Sequence, residues 1–127
     1  MQYHHRLRSL AFCLLGLLSA QHPATAEAPA EIQGKWSSQP GRCEPISGEV
    51  DVLTITAAEL GFYEIGCDLG QATRSGARLR FDAQCYKGGS PVTPGEVVLR
   101  RHAPNEIDLV LQGFSWIAAK PQRYHRC

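Results

Sequence analysis

From Ala77 to Tyr86 the side chains alternate without a break. Leu79, Phe81, Ala83 and Cys85 fall on one side, Arg78, Arg80, Asp82 and Gln84 on the other. A period of two fits a strand with one buried and one wet face; a helix, with period 3.6, cannot produce it. That segment commits its surroundings to sheet. The expected strands are Ile32 to Ser37, Glu49 to Thr56, Leu60 to Cys67, Ala77 to Tyr86, Glu96 to Arg101, Glu106 to Gln112, Phe114 to Ala118 and Gln122 to Cys127. In the third, Tyr63, Ile65 and Cys67 would share one face, Phe62 and Glu64 the other. Ser38 to Gly48, Asp68 to Gly76 and Lys87 to Gly95 read as loops from their Gly, Pro and polar residues. No stretch has the spacing of an amphipathic helix. Eight short strands on short turns imply an all-β antiparallel meander, either a small barrel or a sandwich. Closure would remove exposed strand edges. Trp36, the largest apolar residue of the opening strand, is expected to be buried at its centre.

The N-terminus reads as an address. Arg6 and Arg8 precede an apolar run, Leu10 to Ala20, that is shorter than the roughly 20 residues a membrane helix needs. Ala24-Thr25-Ala26 supplies the small residues of a signal-peptidase site. The expected organisation is a signal peptide over 1–26 and one domain over 27–127, periplasmic or secreted, with no stable membrane insertion after cleavage. Phe12 stands where a lipoprotein signal needs a small residue before Cys13, so lipidation is not expected.

Cleavage leaves four cysteines, Cys43, Cys67, Cys85 and Cys127. In a small exported domain an even number reads as disulfides, which supply stability that a small core does not. Their wide spacing is unlike the close ligand pairs of a zinc site, and no metal or other cofactor is expected. If every connection is a simple hairpin, Cys43 and Cys67 lie at one end of the meander, Cys85 and Cys127 at the other. The expected bridges are therefore Cys43–Cys67 and Cys85–Cys127. Cys67–Cys85 is excluded on this reading, because its ends would be roughly 20 Å apart across their hairpin.

Losing Arg6 and Arg8 leaves 11 basic residues against 12 acidic, a formal net charge of −1. Nothing in that balance attracts nucleic acid. The distribution is uneven: Glu27 to Asp68 carries −6, and everything from Leu69 onward +5. Either acidic strands pair with basic ones, with Glu64 opposite Arg80 and Asp82 opposite Arg100, or the surface is dipolar and steers a partner.

Gly34-Lys35-Trp36, Cys43, Tyr63-Glu64 before Cys67, Cys85, and the closing Tyr124-His125-Arg126-Cys127 resemble a group of small exported bacterial four-cysteine proteins. That group has a Gly-x-Trp start and a Tyr-x-Arg-Cys end, and no activity is assigned to it. The Gly-x-Trp start also resembles lipocalin-like barrels, in particular the small periplasmic inhibitors of secreted metalloproteases. This second likeness implies that Trp36 forms a barrel floor, with Arg126 or Arg123 stacked on it, and gives Gly34, Trp36 and Arg126 structural roles. It further implies that the arm Glu27 to Ile32 occupies a protease cleft.

Catalytic chemistry is sparse. After cleavage only His102 and His125 remain, neither beside an Asp or Glu in sequence, and no nucleophile or metalloprotease motif appears. Glu64 and Asp82 could be imagined as a carboxylate pair, but cross-strand pairing with arginines accounts for both. The expectation is a monomeric, non-enzymatic binding or inhibitor module for a protein partner in the cell envelope. The alternatives are an envelope-associated structural protein and a small-ligand binder.

Overall fold

Residues 27–127 are described by the structure, a computed structural model; the expected leader, 1–26, lies outside the described residues. The strands are β1 (Gly34–Ser37), β2 (Val52–Ile55), β3 (Glu59–Phe62), β4 (Ile65–Ser75), β5 (Arg78–Lys87), β6 (Thr93–Ala103), β7 (Glu106–Gln112) and β8 (Gln122–Arg126). Each pairs antiparallel with the next, and β8 returns to β1, so the meander closes as a barrel. The one helical element among the described residues is a 3-10 turn, Ala30–Ile32.

Alternation decides which faces are buried. On β5, Leu79, Phe81, Ala83 and Cys85 point into the barrel and Arg78, Arg80, Asp82 and Gln84 into solvent. Trp36, Tyr124, Phe81 and Leu53 are the largest fully buried side chains, and they fill the interior together with Leu60, Leu99 and Ile107. Each such burial contributes about 1.5–3 kcal/mol. The indole N–H of Trp36 donates to the Ile32 carbonyl at 2.9 Å, so its polar atom is satisfied in the core. Above the ring, 4.1 Å from its centroid, lies the Arg126 guanidinium. Arg126 also donates to the carbonyls of Gln33, at 3.1 Å, and Glu31. Arg126 is thus the cation on the indole; Arg123 faces outward and pairs with Asp108. Gly34 opens β1 at φ +121°, with Arg126 Nη1 lying 3.5 Å from where a Cβ would stand.

Two expected strands are corrected, and the errors offset each other in the count. Leu60 to Cys67 is not one strand. The chain reverses at residues 63–64, so that Phe62 pairs with Ile65 and Leu60 with Cys67. Neither Tyr63 nor Glu64 is a preferred turn residue, and the sequence therefore gives no sign of the reversal. Phe114 to Ala118 is not a strand either: Phe114 is buried, packs its ring over Gly95 and stacks on Trp116 at 4.9 Å, within the connection from β7 to β8. The expected loop Asp68 to Gly76 is mostly strand, because β4 runs on to Ser75 as the outer half of a long hairpin.

That hairpin also overturns the expected disulfides. The bridges are Cys67–Cys85, with Cα atoms 4.1 Å apart, and Cys43–Cys127, 5.8 Å apart. Ser75 pairs with Arg78 across a two-residue turn, 76–77, in which Gly76 takes φ +60°, the conformation a tight hairpin asks of its first position. Counting back from that turn would set Cys67 opposite Tyr86. A bulge between Leu69 and Ala72 shifts the register by one residue and sets Cys67 opposite Cys85 instead, both facing inward. Gly70 makes the bulge possible, since a Cβ there would stand 2.8 Å from the Asp82 carbonyl.

Cys43 reaches Cys127 because β1 is short and the chain folds back beside it. Ser37 Oγ donates to the Arg42 carbonyl, bringing the next residue, Cys43, toward the seam, and the Cys127 N–H donates to Lys35 O at 2.9 Å. Two disulfides in a domain of this size are the chemistry of an oxidising, non-cytoplasmic compartment.

The expected ion pairs are also corrected. Asp82 faces Glu96, Arg78 faces Arg100, and Glu64 sits in the β3–β4 turn. Among the described residues, Arg80 pairs with Glu96 at 3.6 Å, and one salt bridge, Glu31–Arg74 at 3.1 Å, joins the acidic half to the basic half. Strand pairing therefore does not account for the charge asymmetry in the way the sequence suggests.

Candidate binding rim

The filled interior leaves function to the outside. By topology the β1–β2, β3–β4, β5–β6 and β7–β8 connections gather at one end of the barrel. Large apolar side chains are exposed there: Tyr63 (72% exposed) in the β3–β4 turn, Val92 (60%) in the β5–β6 loop, and Tyr86 (48%) near the end of β5. These segments adjoin. Gly66 pairs with Tyr86 and Ile65 with Lys87, while the Gly88 N–H donates to Glu64 O at 2.8 Å. Ser90 ties down the base of its loop by donating to, and accepting from, the backbone of Lys87. The Tyr86 ring lies flat over Gly66, where a Cβ would meet its hydroxyl at 2.6 Å. The rim is thus a braced surface, with two tyrosines standing on a hydrogen-bonded scaffold.

Tyr63 is conformationally unusual. Among the described residues it is the one non-glycine with positive φ, at +47°. The left-handed region costs an L-residue with a Cβ roughly 1–2 kcal/mol. Burial does not offset that cost, since the side chain is mostly in solvent. The sequence places Tyr63 on a strand face with Ile65 and Cys67, so it gives no hint of this role.

The other expected site residues lie elsewhere. The arm is not free. Ala28 and Ile32 are buried, Ala28 N donates to Ala57 O at 2.7 Å, and Gln33 Nε2 donates to Ala28 O at 2.8 Å. Trp36, Arg126 and Glu31–Arg74 hold the arm across the foot of the barrel. The Glu31 carboxyl sits below its ordinary range because of a backbone hydrogen bond first, and then Arg74. An inhibitory arm entering a protease cleft would need Glu27 to Ile32 extended and accessible, and the packing of Ala28 and Ile32 rules that geometry out for the folded chain.

The fold gives each histidine the carboxylate its sequence neighbours lack. His102 Nε2 lies within hydrogen-bonding distance of Asp108 Oδ2, at 2.5 Å, and His125 Nδ1 lies 3.7 Å from Glu106. Arg123 Nε donates to Asp108 Oδ1 at 3.0 Å, and its Nη2 lies 2.7 Å from the same His102 nitrogen. Partial burial pushes the Asp108 carboxyl up, but the hydrogen bonds and charges of Arg123 and His102 outweigh it and hold the carboxyl below its ordinary value. With Nε2 held between Asp108 and Arg123, His102 is not aimed at a nucleophile. Among the described residues no three His, Cys, Asp or Glu side chains are grouped to hold a metal.

No protein family, curated protein or solved structure matches this chain.

Proposed function

We propose that this chain is an exported, non-enzymatic module that binds a protein partner in the periplasm or outside the cell, through the rim of Tyr63, Tyr86 and Val92. One observation carries the reading: an aromatic side chain is displayed to solvent at a backbone position where glycine would be more stable. Tyrosine is enriched where protein interfaces concentrate their binding energy, because it offers a large rigid apolar area with a polar tip. The filled barrel argues against a small ligand carried in its interior, since such a carrier needs a cavity there. The leader sequence and the two disulfides support the location.

Replacing Tyr63 separates binding from folding. Tyr63→Gly is expected to raise folding stability by roughly 1 kcal/mol, by relieving the left-handed strain. The same substitution, and Tyr86→Ser, should abolish capture of whatever partner the immobilised wild-type domain retains from a periplasmic extract. A partner retained equally by all three proteins overturns the rim reading, as does an extract from which the wild type retains nothing above a denatured control.

A further inference from the structure

The outer face of β5 to β8 carries a row of charges that folding alone does not explain. Ladder register sets Arg78 opposite Arg100, Arg100 opposite Asp108, and Asp108 opposite Arg123. The row reads cation, cation, anion, cation. Asp108 commits both carboxylate oxygens to Arg123 and His102. Its other cross-strand neighbour, Arg100, makes no salt bridge among the described residues, and neither does Arg78. Two like charges facing each other across an antiparallel pair destabilise it. Arg78 and Arg100 thus face each other without a salt-bridge partner among the described residues, beside an Asp108 carboxylate already taken up by Arg123 and His102.

The next row along the same face runs Arg80, Val98, Val110, with Arg80 drawn to Glu96. Val98 and Val110 pair across β6 and β7. Val98 is only 3% exposed and lies beneath its neighbours, so the accessible apolar surface of the groove is that of Val110 and Pro121. With Ala77 and Pro121 at its margins, the groove has a volume of about 440 Å³, within the range of small-ligand sites.

We propose that this groove binds a small organic anion, a carboxylate on a short aliphatic chain. The Arg78 and Arg100 guanidiniums take the carboxylate, and Val110 with Pro121 takes the chain. Planar guanidiniums present paired donors that match a carboxylate's two oxygens, and charge-assisted bonds of this kind are the strong ones. A bare inorganic anion would leave Val110 and Pro121 unused, and a cation would meet an unneutralised arginine pair. With residues 27–127 at a formal net charge of −1, the attraction is local and arises from the arginine pair itself. The groove is separate from the rim: Arg78 opens β5 and Tyr86 lies eight residues further on, about 26 Å along the strand.

Titration of the folded domain at constant ionic strength, followed by amide chemical shifts, tests this with sodium acetate, butanoate, hexanoate and octanoate. Hexanol and hexylamine serve as controls. Affinity should rise roughly fourfold per added methylene until Val110 and Pro121 are covered. Neither control should give saturable shifts at the groove. The double variant Arg78→Gln, Arg100→Gln should weaken hexanoate by about tenfold or more and melt no lower than the parent, since it removes a like-charge pair. The proposal is overturned by an affinity independent of chain length, by hexanol binding as well as hexanoate, by the double variant binding unchanged, or by no saturable binding at all. A double variant that melts well below the parent would assign the arginines to the fold instead and equally overturn it.

Discussion

Asp108 shows how one residue can hold several elements to a common geometry. From β7 it accepts from Arg123 on β8 and meets His102 on β6, and both contacts favour its ionised form. Because its folded pKa lies below the ordinary value, its contribution to stability is present above about pH 4 and disappears as pH falls through the depressed folded value. Arg123 is about half exposed, so screening keeps the contribution below roughly 1 kcal/mol. Urea titrations of the parent and Asp108→Asn should differ by up to that amount near pH 6 and converge at about pH 2. A gap that widens on acidification contradicts the assignment. Much at this scale was legible in the sequence. Alternation separates Leu79, Phe81, Ala83 and Cys85 from their arginine-rich neighbours, and the Gly-x-Trp likeness brings Arg126 to the indole. The surroundings of His102 were not legible, because its carboxylate is six positions away and reaches it only across the β6–β7 ladder.

Among the elements, the β4–β5 hairpin shows where reading a sequence breaks down. A run such as Asp-Leu-Gly-Gln-Ala-Thr-Arg-Ser-Gly has the composition of a loop, yet it is strand to Ser75, because its partner β5 supplies hydrogen bonds whatever the side chains. The Gly70 bulge, in turn, cannot be seen from one strand alone, since a bulge is a property of two. Its effect is large: one residue of shift decides whether Cys85 or Tyr86 meets Cys67. Gly70→Ala should therefore destabilise the domain by about 1–3 kcal/mol, as its Cβ would press on the Asp82 carbonyl. Chemical denaturation measures the loss. An unchanged midpoint would mean that the bulge accommodates a side chain and that Gly70 does not set the register. The β3–β4 reversal was illegible for a different reason. Residues 63–64 belong to neither the glycine nor the asparagine class that announces a tight turn, and the rim tyrosine itself hides the turn that displays it.

For the whole molecule, closure depends on a seam as narrow in registered pairs as that between β2 and β3. β8 meets β1 at Trp36–Arg126 and Ser37–His125 alone, whereas β4 and β5 pair along most of their length. The Cys43–Cys127 bridge spans a sequence separation of 84 and Cys67–Cys85 one of 18. In the chain-entropy picture these close loops worth roughly 4–5 and 3 kcal/mol respectively. Cys43→Ala with Cys127→Ala should therefore release the seam. Amide hydrogen exchange of Ser37, Arg126 and Cys127 should accelerate well ahead of the β5–β6 core, with reduced global stability. Uniform acceleration across all strands would show that the seam is not the weak line. Peptide mapping without reduction should recover Cys43 joined to Cys127 and Cys67 to Cys85. The all-β antiparallel meander was readable from the sequence; the choice of barrel over sandwich was not. The strand count agreed only because two errors offset, and the pairing of the ends depends on the first strand being only four residues long.

The nested arrangement of the two bridges bears on how such a chain matures. If the chain is exported N-terminus first, its cysteines emerge in the order 43, 67, 85, 127, and the first couple to meet an oxidant, Cys43 with Cys67, is not a native one. The correct partner of Cys43 is the last to emerge. Oxidation that keeps pace with export therefore traps a wrong ring, unless the β4–β5 hairpin zips first and removes Cys67 and Cys85 from circulation. Otherwise the trapped bond has to be reshuffled by thiol–disulfide exchange. Yield in the cell is then set by a race between hairpin formation and the local oxidase, and a compartment that supplies a disulfide isomerase relaxes that race.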